Sequence, residues 1–180
     1  GMSSCDDYLE LMPSYALPAE GAINTIEDVE SVLNGVYQGL TTNSYYGADF
    51  ISRGEVGGED VQTASQSKRT ENYYRFLYNQ NNAPEGLWSV PYRVINRINV
   101  LLQALESGKI SASAELNNLK GEALAVRALC HFNLTLVYGY PYQKDNGASL
   151  GAPIVTTVLT ANDMPSRSTV AECYKAVEDD

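Results

Sequence analysis

The chain contains one histidine, His131, and three cysteines, Cys5, Cys130 and Cys173. A serine-protease-type triad or a multi-histidine metal site would therefore rest on His131 alone. His131 falls among apolar residues on a helical stripe shared with Arg127 and Thr135. That setting predicts a packed, hydrogen-bonded imidazole rather than a general base. No two cysteines have zinc-ligand spacing. Glu55, Glu59 and Asp60 cluster as a glycosidase pair or a calcium site would, but the spacing is not that of an EF-hand. A solvated acidic loop is the simpler reading. Gly54, Gly57 and Gly58 lack the Lys-Ser/Thr and the helix start of a phosphate loop. Asn133-Leu134-Thr135 fits a glycosylation acceptor, yet it lies on a helix expected to be buried.

The aromatic signal is stronger. There are thirteen tyrosines against three phenylalanines and one tryptophan, and tyrosine combines a flat apolar face with a hydroxyl. Sugars offer C–H faces that stack on rings and hydroxyls that need planar polar partners. Arg69, Asn72, Tyr73, Tyr74 and Tyr78 supply both kinds of group in one segment. The same tyrosines would serve equally well to anchor a loop to its helices, and both readings stand. Tyr73 and Tyr74 are adjacent, so in an extended segment they point to opposite sides. One would then meet a ligand while the other holds the loop.

These residues need a scaffold, and the composition permits one. The 180 residues are 44% hydrophobic and 19% charged, enough for one globular domain with a core. A formal net charge of −10 would repel phosphate backbones, which excludes nucleic acid as a natural partner. No run is long and apolar enough to span a bilayer. Gly1 is no initiator and reads as a cloning remnant.

Helical periodicity predicts the elements. Residues 1–24 form an irregular lead broken by Pro13, Pro18 and Gly21. A first helix is predicted from Thr25 or Ile26 to Leu40, opened by a Thr25–Asp28 capping box and apolar at Ile26, Val29, Val32, Leu33, Val36 and Leu40. Residues 41–83 are loop, with a short element possible at Glu71–Tyr78. A second helix spans about Ala83 to Glu106, with Trp88, Tyr92, Ile95, Ile98, Leu102 and Leu105 on one stripe. Arg93, Asn96, Arg97 and Gln103 lie towards the other side. Pro91 predicts a proper start at its own position. A third helix runs from near Ser113 to Tyr138, polar at first and then apolar on most sides, so its later half is expected to be surrounded by other helices. Ala125, Ala128 and Phe132 are expected at that contact, and Gly121 beside a closely packed helix. A turn at Asp145-Asn146-Gly147 and an extended piece at 152–155 follow. A last helix begins at Ser168 or Thr169 with a Thr169–Glu172 capping box. Helices two and three form an antiparallel hairpin in a tetratricopeptide-like, mainly α domain of 25–180, its loops long and its superhelix incomplete. Arg127 is expected to pair with a carboxylate from another helix; Glu122, five residues away, does not share its face.

Gly121-Glu122-Ala123, Arg127-Ala128, Phe132 and Leu134 together resemble the GEA-x-x-x-RA-x-x-x-F-x-L signature of SusD-like proteins. The resemblance continues through Met2-Ser3-Ser4-Cys5 with Asp6-Asp7 behind it, similar to a lipobox, and through Leu33-Asn34-Gly35-Val36-Tyr37. Trp88, Tyr92, Ile95 and Asn99 resemble that family's W-x3-Y-x2-I-x3-N helix. Tyr138-Gly139-Tyr140-Pro141 and Arg167-Ser168-Thr169-Val170 with Tyr174 complete the ordered set. The family's chains are much longer, so the resemblance covers an N-terminal portion. It implies a surface lipoprotein of the bacterial outer membrane, lipid-anchored at Cys5. Such a protein captures oligosaccharides without catalysis or cofactor and hands them to a SusC-like TonB-dependent transporter. Other possibilities are a tetratricopeptide-like module for peptides or proteins, marked by a concave polar face, and a hydrolase built on Glu55, Glu59 or Asp60.

Overall fold

The structure is a computed structural model. It describes residue 18 and residues 21–41, 85–139, 141–160 and 163–180, with side chains in the second helix from Val90 onward. The expectations for the lead and the 42–83 loop fall outside these residues. Four α-helices are present among the described residues: α1 (Ile26–Leu40), α2 (Glu85–Glu106), α3 (Ala114–Tyr138) and α4 (Val170–Asp179). A 3-10 turn at Tyr142–Lys144 precedes α4.

Helix α1 starts where the capping pattern predicts. Thr25 Oγ1 accepts from the Asp28 backbone N–H at 3.1 Å, and Asp28 Oδ2 accepts from the backbone N–H groups of Asn24 and Thr25, both at 2.9 Å. These backbone donors hold the Asp28 carboxyl below its ordinary pKa. Val29, Leu33, Val36 and Leu40 form the buried face at four- and three-residue spacing.

Helix α2 keeps close to the predicted span of about Ala83 to Glu106 and corrects only the narrower start at Pro91. It begins at Glu85 and runs through that proline, which is fully buried. A proline this close to a helix start removes one backbone bond, and burial of Val90, Val94, Ile95, Ile98 and Leu101 around it holds the helical path. Helix α2 is the middle layer, packed on α1 on one side and α3 on the other. That position explains a second correction: Arg97, expected on the side away from the apolar stripe, is buried at 7% exposure, and Asn99 is buried too, at 3%. Helices α2 and α3 are antiparallel, because Asn99 bonds Arg127 while Glu106 and Lys120 line one cleft.

Helix α3 opens on Ser113, whose hydroxyl accepts from the Leu116 N–H at 3.0 Å, and closes at Gly139 as predicted. Among the described residues its later half is not surrounded by other helices. Leu116, Leu119, Ala123, Val126, Cys130 and Leu134 join the core, but Leu129 and Leu136 are 41% and 54% exposed. Ala125 is exposed too, and Ala128 and Phe132 are only half-buried. Phe132 meets Tyr174 of α4, with ring centroids 6.2 Å apart. Gly121 is exposed, and a Cβ built on it would meet nothing within 4 Å. Periodicity identifies apolar residues on α3, but it does not tell which neighbours cover them.

Helix α4 begins at the predicted capping box, with Thr169 and Glu172 exchanging bonds of 2.8 and 3.2 Å. Its first N–H groups also reach the preceding loop, Val170 to the Ser149 carbonyl and Ala171 to that of Gly147. The loop turns there through Asn146 and Gly147, at φ 56° and 76°, left-handed values that favour Asn and Gly.

Candidate functional site

Most of the chemistry in the described residues converges on one extended segment, 151–159, laid across α2 and α3. The segment has no regular ladder of its own, so its backbone groups need partners from elsewhere. Side chains of the two helices supply them. The Tyr92 hydroxyl donates to the Pro153 carbonyl at 2.8 Å. Asn96 takes both backbone groups of Leu159, accepting its N–H at 2.7 Å and donating to its carbonyl at 3.1 Å. Asn99 Nδ2 donates to the carbonyls of Val155 and Thr157 at 3.2 and 3.0 Å. His131 Nε2 accepts from the Val155 N–H at 3.1 Å. Between these bonds Ala152 and Val155 enter the core.

Arg127 completes the clamp. Its Nη1 donates to Asn99 Oδ1 at 2.8 Å and to the Thr156 carbonyl at 3.5 Å. Its Nε and Nη2 form a two-point pair with Asp180, immediately beyond α4. The expected partnership with a carboxylate from another helical element is therefore present. Glu122 faces elsewhere and accepts from the Tyr37 hydroxyl at 2.9 Å, tying α3 to α1. On the opposite side, Arg167 donates to the carbonyls of Gly151, Leu150 and Tyr138, fastening the segment to the end of α3.

This geometry decides the role of His131. Nε2 accepts, so Nδ1 carries the proton, and among the described residues Nδ1 has no partner. The ring is 2% exposed, and burial lowers its pKa to about 4. It is packed and hydrogen-bonded, as the sequence predicts, and the structure adds that it serves as a neutral acceptor for backbone. Burial also raises the Tyr92 pKa, keeping that hydroxyl a donor. Cys130 and Cys173 are buried and not joined in a disulfide, and Cys173 donates to the Ala152 carbonyl at 3.2 Å.

Beside the Arg127–Asp180 pair a cleft of about 500 Å³ opens between α2 and α3, with Gln103, Glu106 and Lys120 among its lining residues. The sequence-predicted ligand residues Arg69, Asn72, Tyr73, Tyr74 and Tyr78 lie outside the described residues, as do Cys5 and the acidic trio Glu55, Glu59 and Asp60. The clamping roles of Tyr92, Asn96 and Asn99 were missed at sequence level. Their spacing along one helix, one tyrosine and two asparagines within two turns, was the available signal.

The described residues thus form an all-helical scaffold whose inward polar groups grip a long extended crossing. The same residues carry the sequence resemblance: Tyr92, Ile95, Asn99 and Arg127 are core or clamp positions. A family model described as starch-binding and associating with the outer membrane matches residues 7–180. The chain belongs to the SusD-like family.

A SusD-like protein of Formosa agariphila is 25% identical over 146 residues, which cover 76% of this chain and 28% of that protein. A solved SusD superfamily protein of Bacteroides vulgatus is 38% identical with a TM-score of 0.79, matching 87% of this chain and 36% of its own. A SusD-like carbohydrate-binding protein of the same species is 26% identical with a TM-score of 0.72, over 87% of this chain and 34% of its own. The chain therefore spans about a third of the length of these relatives.

Proposed function

We propose that this chain is the N-terminal portion of a surface glycan-capture protein, a non-enzymatic binder that delivers oligosaccharides to a SusC-like TonB-dependent transporter. The observation that carries the reading is the family match over residues 7–180, joined by the likeness to a carbohydrate-binding relative. The clamp supports it: His131, Asn99 and Arg127 are occupied in holding backbone, so the described part acts as scaffold. Ligand contact then falls to surface segments, and Arg69, Asn72, Tyr73, Tyr74 and Tyr78 are the proposed sugar-facing set.

A glycan array on the complete protein, followed by titration of the best ligand, tests this reading. Tyr73→Ala and Tyr74→Ala are made separately. One is expected to lose affinity at near-constant stability and the other to lose stability. Unchanged affinity in both rejects the aromatic segment as the site. Cys5 is proposed to carry the lipid anchor, so with a native leader Cys5→Ala should abolish lipid labelling. Co-purification of the complete protein with a SusC-like transporter tests delivery. The peptide-binding alternative calls for a concave polar face, whereas the exposed face of α3 bears Leu129 and Leu136.

A further inference from the structure

The interface of α1 and α2 holds a charge that the clamp does not use. Arg97 is 7% exposed, and its guanidinium lies over Gly35 of α1. A Cβ built on Gly35 would stand 3.0 Å from Nη2 and 3.6 Å from both Cζ and Nη1. A methyl group there would press on the guanidinium, so glycine gives the group its closest seat on α1. Among the described residues nothing hydrogen-bonds Arg97 Nε or Nη1.

Arg127 is the internal comparison. It is equally buried, at 8% exposure, yet its guanidinium is saturated by Asp180, Asn99 and a backbone carbonyl. A guanidinium does not escape burial by losing its proton, so it stays charged and needs acceptors, of which an anion is the strongest. Its fork of donors matches a carboxylate at two points. Removing such a charge from water without a partner is strongly unfavourable.

We propose that Arg97, with Gly35 as its floor, is a carboxylate-binding site on the α1–α2 face. The carboxylate has two possible sources, an acidic side chain of the protein itself or an acidic sugar of the uronic type. Only the second source rests on the glycan-capture reading.

Thermal melts of the full chain decide between them, with wild type, Arg97→Met and Arg97→Lys compared in the presence and absence of sodium galacturonate. Neutral galactose is the control. With an internal carboxylate, Arg97→Met should melt roughly 5 °C or more below wild type, because it strands the acid, and Arg97→Lys should fall between them. With a sugar carboxylate, galacturonate should raise the melting temperature of wild type but not of Arg97→Met, and galactose should raise neither. The proposal is overturned if Arg97→Met melts at or above Arg97→Lys and galacturonate fails to separate wild type from Arg97→Met. Array binding of neutral glycans, measured in parallel, tests the capture reading separately, since its loss would leave the Arg97 result standing.

Discussion

The fold should weaken in mild acid through His131, and the size of the effect follows from its burial. The imidazole ordinarily titrates near 6.5 and in the fold near 4, with desolvation as the main cause. A protonated Nε2 could no longer accept from Val155, so the fold favours the neutral ring. As pH falls below about 6.5 the unfolded chain takes up a proton that the folded chain refuses. Stability from this group is therefore complete above about pH 6.5 and is lost as pH falls towards about 4. At about 1.4 kcal/mol per pH unit, the interval corresponds to about 3 kcal/mol. Carboxylates titrate at the lower end of this interval, so a reference variant is needed. His131→Gln places a non-titrating acceptor near the Nε2 position. Urea unfolding of both proteins between about pH 7 and pH 4.5 gives the difference in free energy. Wild type should lose about 2 to 3 kcal/mol more than the variant over that range. A pH-independent difference between the two would refute the assignment of His131 as a buried neutral acceptor.

Asn99→Leu keeps approximate volume but removes two donors from the 155–157 backbone and the acceptor of Arg127. It should cost about 3 kcal/mol by urea unfolding, with faster amide exchange at Val155 and Leu159; a loss below about 1 kcal/mol would mean the clamp is not a stabilising unit. Two glycines should respond in opposite directions in thermal melts. Gly147→Ala meets a positive φ and a Cβ 2.6 Å from Tyr142 and 2.8 Å from the Ala171 nitrogen, so it should destabilise by more than about 1 kcal/mol. Gly121→Ala, in open space on a helix, should stabilise by about 0.5 to 1 kcal/mol. Phe132→Ala should cost about 1 to 2 kcal/mol rather than the 3 to 5 expected for a fully buried ring, because Phe132 is half-buried against Tyr174.

Local chemistry was legible in the sequence. Thr25 with Asp28, Ser113, and Thr169 with Glu172 mark three helix starts, because a cap is made by residues three apart and needs no distant partner. The turn through Asn146 and Gly147 was readable for the same reason. Apolar periodicity located the helices, and the ordered motifs carried the family. The sequence could also say that His131 and Arg127 would be buried and bonded, since such groups on an apolar helix require partners. It could not say which partners. The grip of Tyr92, Asn96 and Asn99 on residues 153–159 joins positions some sixty apart in the chain. Nor could it decide between a start near Ala83 and a start at Pro91 for α2, or tell that Leu129 and Leu136 face outward while Arg97 faces in. Those outcomes depend on which helix packs against which, and that is set by the summed burial of many side chains rather than by any residue's own preference.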